Sequence, residues 1–470
     1  MTAPSVPSRP GGFERLEPLV SAVIALVATF LILFRMAGDS PVSDEPVHLA
    51  SGVETLARGT WTWNPEHPPL AKAGAALGLA GLGLRPPEGP FDPARRRANL
   101  LAFLNDNTAP QEAIVFRGRL FSVALFLLLL WGVRREARAR FGVPAGCAAL
   151  ALAAFEPTLQ AHAGLVHTDL AVVCFLVLSL GPLRCVLEGD AAPRQVLVLG
   201  LVWGLMFLSK YSAPLLAFAS LGLILATGAN RAPFHRLAPR VLAAAGIALA
   251  VSLLGFSLAG RNQSREDRVA LAHELCAVKG RSEAAERLVL RAGSVLPAAG
   301  NLLNGVASVV LQNRVGGAVN FLRGQVSREG FPGYFPFALA VKTSLGLLLA
   351  LLAGASAPAG RRPAIAVLSG LLVIFAASAS SSYNIGVRHV LFALPLFAVV
   401  AGAALAAGGP RIHRFALSAG LLIQAVECAT IAPHPLSFFN ALAGGPAAGR
   451  TLLVDSNLDW GQDLARLAAL

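Results

Sequence analysis

The chain is poor in charge. Of its 470 residues only 14% are Asp, Glu, Lys or Arg, too few to cover a soluble domain, where about a quarter is usual. Carboxylates are the scarcer sign: 26 Asp and Glu stand against 39 Lys and Arg, a formal net charge of +13. Cysteine is sparse too. The five residues, at 147, 174, 185, 276 and 428, show no metal-ligand spacing. Only Cys276 falls in a clearly aqueous outer loop, which argues against a disulfide framework. No glycine-rich nucleotide fingerprint sits between a strand and a helix. No internal repeat or low-complexity tract rises above a general richness in Ala, Leu and Gly.

What the chain has instead is long apolar runs, with hydrophobic residues making up 55% of it. Crossing about 30 Å of hydrocarbon takes about 20 apolar residues in a helix. Continuous rather than alternating apolarity excludes barrel strands. The expectation is an all-α polytopic membrane protein with about eleven spans by hydropathy. They are Leu16–Phe34, Phe116–Val133, Val143–Phe155, Leu170–Leu187, Val196–Leu208, Pro214–Thr227, Val241–Leu258, Phe335–Ala353, Pro363–Ala379, Val390–Ala407 and Phe415–Ile431. The first has no small-residue cleavage site and reads as an uncleaved helix. Leu70–Leu84 follows two prolines and is too short to span; it suits an interfacial or re-entrant helix. The third, fifth and sixth runs are short.

Arginines set the orientation. With Arg9 and Arg15 inside, Arg134, Arg135, Arg138 and Arg140 also fall inside, as do Arg184, Arg194, Arg231, Arg236, Arg240, Arg361, Arg362, Arg411 and Arg414. The positive-inside rule then explains the net charge without nucleic acid. Arg35, Arg117 and Arg119 sit at outer ends and run against it. The expected organisation is a transmembrane domain over 1–431, with outer loops at 37–115 and 260–334, and an extracytoplasmic segment at 432–470. The expected place is a bacterial inner membrane with a cytoplasmic N-terminus.

On this topology the unusual polar segments share one outer face. They are SDEPVH (43–48), NPEHPPLAK (64–72), HAGLVHTDL (162–170), SKYSAP (209–214), PGYFPFALAVKTS (332–344), YNIGVRHVL (383–391) and DSNLDWGQD (455–463). Ionisable groups at membrane depth are costly and are usually paired or functional. Carboxylates and cations gathered at an outer membrane surface suit glycosyl transfer from a lipid-phosphate sugar. Fixed Lys or Arg donors stabilise the departing phosphate. A placed carboxylate takes the acceptor hydroxyl's proton.

DEPVHLASG, NPEHPPLAK, LSKYSAPLL, IGVRHVLFALP and DSNLDWGQDL together resemble bacterial phospholipid carrier-dependent, family 39-like transferases of the glycosyltransferase C superfamily. That group includes protein O-mannosyltransferases and lipid A aminoarabinose transferases. The likeness runs from about Ser43 to Leu470. It implies an inverting enzyme using a polyprenyl-phosphate sugar, with Asp44 at the base position and Glu45 beside it for acceptor contact. The loop 260–334 matches no motif of that family, and relatives often carry more sequence after the WGQD element.

Each residue has a plainer alternative. Asp44 and Glu45 could be a solvated loop start; Pro46 holds Glu45 extended and gives the neighbours different tasks. Glu66 and His67 could form a rigid turn, Lys72 could snorkel, and Asp169 could cap a helix. Lys210 and Lys342 could pair with outer carboxylates. Against these, Arg388, Lys210, Lys342 and His389 are assigned here to the donor phosphate, Arg388 for its bidentate fork. His48, Glu66, His67, His167, Asp169, Tyr211, Asp455, Asn457, Asp459 and Trp460 are assigned to acceptor or sugar. The pattern requires no cofactor. A divalent cation could sit among His162, His167 and Asp169, but their spacing is no recognised zinc pattern. The partners expected are the lipid-linked sugar, the bilayer and an acceptor glycan, lipid or protein. The rival readings are a transporter or flippase, which needs broken, pseudo-symmetric helices, and a non-catalytic binder of the same lipid.

Overall fold

The computed structural model describes residues 12–87, 96–189, 192–226, 233–278, 282–315 and 319–469. Arg9, Thr227, Arg231 and the side chain of Cys276 fall outside this description. The fold is helical, with one two-stranded antiparallel hairpin, Asn320–Leu322 with Gln325–Ser327. In chain order the first helices are α1 (Gly12–Met36), α2 (Glu45–Arg58), α3 (Pro69–Leu77), α4 (Arg96–Asn105), α5 (Gln111–Phe141), α6 (Val143–Ala154) and α7 (Pro157–Ala163). There follow α8 (Asp169–Glu188), α9 (Pro193–Phe207), α10 (Ala213–Ala226), α11 (Phe234–Ala259), α12 (Arg265–Val278), α13 (Glu283–Val295) and α14 (Pro297–Val315). The last long ones are α15 (Tyr334–Lys342), α16 (Leu345–Ser356), α17 (Arg361–Ser378), α18 (Ala393–Ala401) and α19 (Arg411–Ile431).

Six of the described helices are long and apolar enough to cross a membrane, or seven if α15 and α16 count as one broken span. The protein is an integral membrane protein by this measure, but the expected eleven spans are not reached. The shortfall is one of length among the described residues: α6 has 12 residues and α9 has 15, and the helical stretch through α18 covers only Ala393–Leu405, while the expected Pro214–Thr227 run ends outside the described residues. At 1.5 Å per residue they are about 18–23 Å long, short of the hydrocarbon thickness. The run at 335–353 breaks by 103° between α15 and α16. Ser344 caps the second half, accepting from the Leu347 amide at 3.1 Å, and Glu427 accepts from the Leu345 and Gly346 amides at 3.0 and 3.1 Å. A carboxylate on free N-terminal amides is what stabilises such a start.

Burial separates core from rim. Within the 18-residue window of α8, 83% is buried; in α17 the figure is 11%. An apolar helix buried all round is a core element, and Leu170, Leu183 and Leu187 of α8 are fully buried, with α8 packed against α5, α9, α10 and α11. α1 instead leaves Leu19, Leu26, Phe30 and Phe34 exposed, a face for lipid. One carboxylate ties this outer helix down: Glu17 accepts from Arg134 at 2.6 Å and Arg138 at 3.1 Å of α5. The four described cysteines, 147, 174, 185 and 428, are free.

Candidate active site

Six distant stretches converge at one end of the bundle. The first is the start of α2. Asp44 occupies the N-cap position, yet its side chain makes no capping bond. Its Oδ2 instead accepts from Arg388 Nη1 at 2.9 Å. An Asp at a helix start normally caps the next amides, so the carboxylate here is committed elsewhere. Its side chain keeps 34% of its surface open.

Arg388 lies in a short 3-10 turn, Val387–Val390, just before α18. It is 9% exposed and its Nη1 also lies 3.9 Å from Asp169. Its guanidinium stacks 4.2 Å from the ring centroid of Trp460, a cation–π contact that fixes the plane of the fork. Its Nε is buried and has no hydrogen-bond partner. Asp169, the first residue of α8, is also ion-paired with Lys210. So it is no simple helix cap: one buried carboxylate joins Lys210 to Arg388.

Histidines line the same region. Nδ1 of His167 accepts from the Asp169 amide at 3.1 Å, and its Nε2 faces the His162 carbonyl at 2.9 Å. The same Nδ1 lies 3.3 Å from Asp169 Oδ2. His48 and His67 meet edge to face at 5.0 Å. Burial, with Asp44 opposing it and Lys72 and Arg388 reinforcing it, lowers the His48 imidazole to about 4. Burial and the neighbouring His48, Lys72 and Lys210 hold His67 well below its ordinary value. Both are neutral near pH 7. Burial alone would raise the Asp44 carboxyl, but Arg388 and then His48 reverse it and keep the group below its ordinary value. His389, next to Arg388, packs 5.8 Å from Phe335 and leaves a buried Nε2 without a partner.

Other residues singled out in the sequence lie apart from this centre. Glu45 is fully buried and bound to Arg119, Nε to Oε1 at 2.8 Å and Nη2 to Oε2 at 2.7 Å. It also accepts from the amides of Val42 and Val166, both at 2.9 Å. Four donors occupy it, so it braces α2 against α5 and the 164–168 turn. Lys342 is buried, its Nζ donating to the carbonyls of Leu436 at 2.8 Å and Asn457 at 2.6 Å. It pins the C-terminal segment and does not join Arg388. Lys72 does not snorkel: it is fully buried and donates to the Asn64 carbonyl at 2.7 Å.

Asn457 is likewise internal, accepting from the Val387 amide at 2.8 Å and donating to the Tyr334 hydroxyl at 2.9 Å. It sets the backbone beside Arg388. Trp460 is buried against Val42, Ala161, Leu165 and Leu436. Asp455 is exposed in a left-handed conformation, φ 61°, and adds negative charge near Arg388. Asp459 is exposed and accepts from the Gly461 amide at 2.9 Å. Glu66 accepts from Asn64 at 3.1 Å, and the Tyr211 hydroxyl donates to the Pro65 carbonyl at 3.2 Å.

Arg119 was missed as a site-building residue. An Arg inside an apolar run was the available signal, and it was spent on orientation. Arg119 and Arg35 are received by the carboxylates of Glu45 and Asp39. Among the described residues no group of three or more His, Cys, Asp or Glu is arranged to hold a metal ion.

Comparison with known proteins agrees with the motif resemblance. Residues 113–256 match the family described as dolichyl-phosphate-mannose-protein mannosyltransferase. No curated protein matches the chain. Among solved structures, the chain is similar to the Saccharomyces cerevisiae protein O-mannosyltransferase Pmt1-Pmt2 complex bound to the sugar donor. The identity is 20% and the TM-score 0.38, over 52% of this chain and 33% of that one. It is similar to the Archaeoglobus fulgidus oligosaccharyltransferase AglB at 14% identity and TM-score 0.47, over 90% of this chain and 55% of that one. It is also similar to ArnT from Cupriavidus metallidurans bound to undecaprenyl phosphate, at 16% identity and TM-score 0.38, over 88% and 79%. The chain thus spans about a third of the yeast chain and about half of the archaeal one.

Proposed function

We propose that the chain is a membrane glycosyltransferase moving a sugar from a polyprenyl-phosphate donor to an acceptor on the extracytoplasmic face. The observation that carries this reading is the Asp44–Arg388 pair, set beside Asp169 and Lys210 at one end of an apolar bundle. It joins a half-open carboxylate to a cation with an unused buried donor.

In this reading the donor phosphate binds Arg388 and Lys210. Asp169 holds both cations in place before substrate arrives, so little reorganisation is needed when negative charge develops on the leaving phosphate. Asp44 accepts the proton of the acceptor hydroxyl as that oxygen attacks the anomeric carbon. The bond from sugar to phosphate breaks on the opposite side, and the configuration inverts. His48 and His67, neutral at pH 7, serve as uncharged hydrogen-bonding groups beside the reacting sugar. No metal is assigned a step, because Arg388 and Lys210 already offset the leaving charge. The site faces away from the arginine-rich loops of the cytoplasmic side.

The test is mass spectrometry of lipid-linked sugars and glycans in cells with and without the gene, repeated with Asp44→Asn. The reading requires a lipid-linked sugar to accumulate, and a glycan to vanish, both without the gene and with the variant. Wild-type glycan levels with Asp44→Asn, produced in normal amount, would remove Asp44 as base.

A further inference from the structure

The loop that matches no family motif folds into α12, α13 and α14, and these enclose a pocket of about 360 Å³. The transfer reaction proposed above does not use it. Both charged residues lining it are arginines, Arg265 and Arg268, joined by Asn301 and Asn304. The walls come close: a Cβ on Gly300 would lie 2.6 Å from the Gly293 Cα. Arg268 Nη1 donates to the Gln263 carbonyl at 2.6 Å and Asn301 Nδ2 to the Gln263 side chain at 2.9 Å, which steadies the rim. Asn304 is 3% exposed, and its Oδ1 is buried with no partner. A buried amide oxygen left unpaired is costly, and it calls for a ligand that brings a hydroxyl or amine.

The pocket also has a defined depth. Ala298, at the head of α14, packs with Phe256 and Ala259 at the end of the span α11 and with Trp61. Asn301 abuts Gly260, the residue that ends α11. The pocket therefore opens where hydrocarbon gives way to headgroups. Around that level Leu258 of α11 is 58% exposed and Val295 is 87% exposed, with Leu288 and Leu296 also open. Leu258 belongs to α11 and Leu288 and Val295 to α13, and both helices pack on α14.

We propose that this pocket holds the headgroup of an anionic phospholipid from the leaflet on the Asp44 side. Arg265 and Arg268 bind its phosphate, a headgroup hydroxyl donates to Asn304 Oδ1, and its acyl chains lie along Leu258, Val295 and Leu296. Occupancy braces α14, whose Gly305 packs against the Tyr211 hydroxyl and the Pro65 carbonyl, beside Lys210.

Native mass spectrometry of the full detergent-purified chain tests this with phosphatidylglycerol, phosphatidylcholine and free glycerol phosphate. The expected result is a phosphatidylglycerol adduct retained about tenfold more tightly than phosphatidylcholine, with free glycerol phosphate weak. Arg265→Ala/Arg268→Ala removes the preference, whereas Arg287→Ala/Arg291→Ala, on the same unit outside the pocket, keeps it. Asn304→Leu, which leaves both charges, weakens phosphatidylglycerol binding and guards against a misfolded double variant. Equal retention of both lipids, a preference that survives the Arg265/Arg268 pair or Asn304→Leu, or free glycerol phosphate binding as tightly as the lipid would overturn it. Asp44→Asn keeps the adduct, so loss of transfer and loss of lipid are read separately.

Discussion

Asp44 and Arg388 meet at 2.9 Å across a separation of 344 residues. Next to Asp44 in the chain, Glu45 is locked to a different arginine, Arg119. Two adjacent carboxylates thus have separate partners, and they should fail in separate ways.

Asp44→Asn keeps the shape and a hydrogen-bonding group but cannot take a proton. The expected loss in kcat is about 10²–10⁴-fold, the range for a general base, with a smaller fall in melting temperature than for Glu45→Ala, since Asp169 still faces Arg388. Steady-state transfer assays alongside a melting curve check both halves.

Glu45→Ala leaves Arg119 buried without its charge partner. Breaking such a pair costs about 3–5 kcal/mol, so the expected result is a sharp fall in melting temperature and poor yield. A stable Glu45→Ala protein with a purely kinetic defect would place Glu45 in the chemistry after all.

Acid should act through Asp44. Its folded carboxyl lies below the ordinary Asp value of about 3.9, so its charge, and the stability of its pairing with Arg388, persist above that value and are lost as pH falls through the lowered one. The transfer rate should stay flat down to about pH 4 on this account. Arg388→Gln removes the cation that offsets burial, so the acid limb should move to higher pH and donor affinity should drop. His48, already lowered to about 4, should add no limb near pH 6–7.

Lys342→Met should unfasten the C-terminal segment by orphaning the carbonyls of Leu436 and Asn457, at about 1–3 kcal/mol for each buried group left unpaired. Limited proteolysis should cut after residue 431 sooner than in wild type. A KM for the donor that rises tenfold while the segment stays protected would return Lys342 to the phosphate.

A chelator should leave the transfer rate unchanged, since the leaving charge is met by Arg388 and Lys210. Loss of activity with EDTA, restored by one divalent cation, would put a metal into the mechanism.

Much of this arrangement could be read from the chain alone. Composition gave the helical membrane class, and the outer-face parity grouped Asp44, Asp169, Lys210 and Arg388, which the structure brings together. Two things escaped it. Hydropathy counts apolar residues and not helix length, so it counted α6, α9 and the Ala393–Leu405 stretch as spans and could not register the 103° break at Thr343. Residue type does not reveal which partner a charge will find. Lys210 and Lys342 look alike in sequence, each at the end or inside of an apolar run. One faces a carboxylate, and the other is enclosed by carbonyls of the C-terminal segment.

Trp460 lies over Arg388 and within the same small core as Val42. The cleft is therefore closed by the segment that follows α19, packed against the one that follows α1. During synthesis Asp44 waits without its cation until α18 arrives, and without its cover until the tail folds back. Assembly of this centre waits on the segment after α19, so a chain cut off after α19 would insert its helices and still present an unfinished cleft.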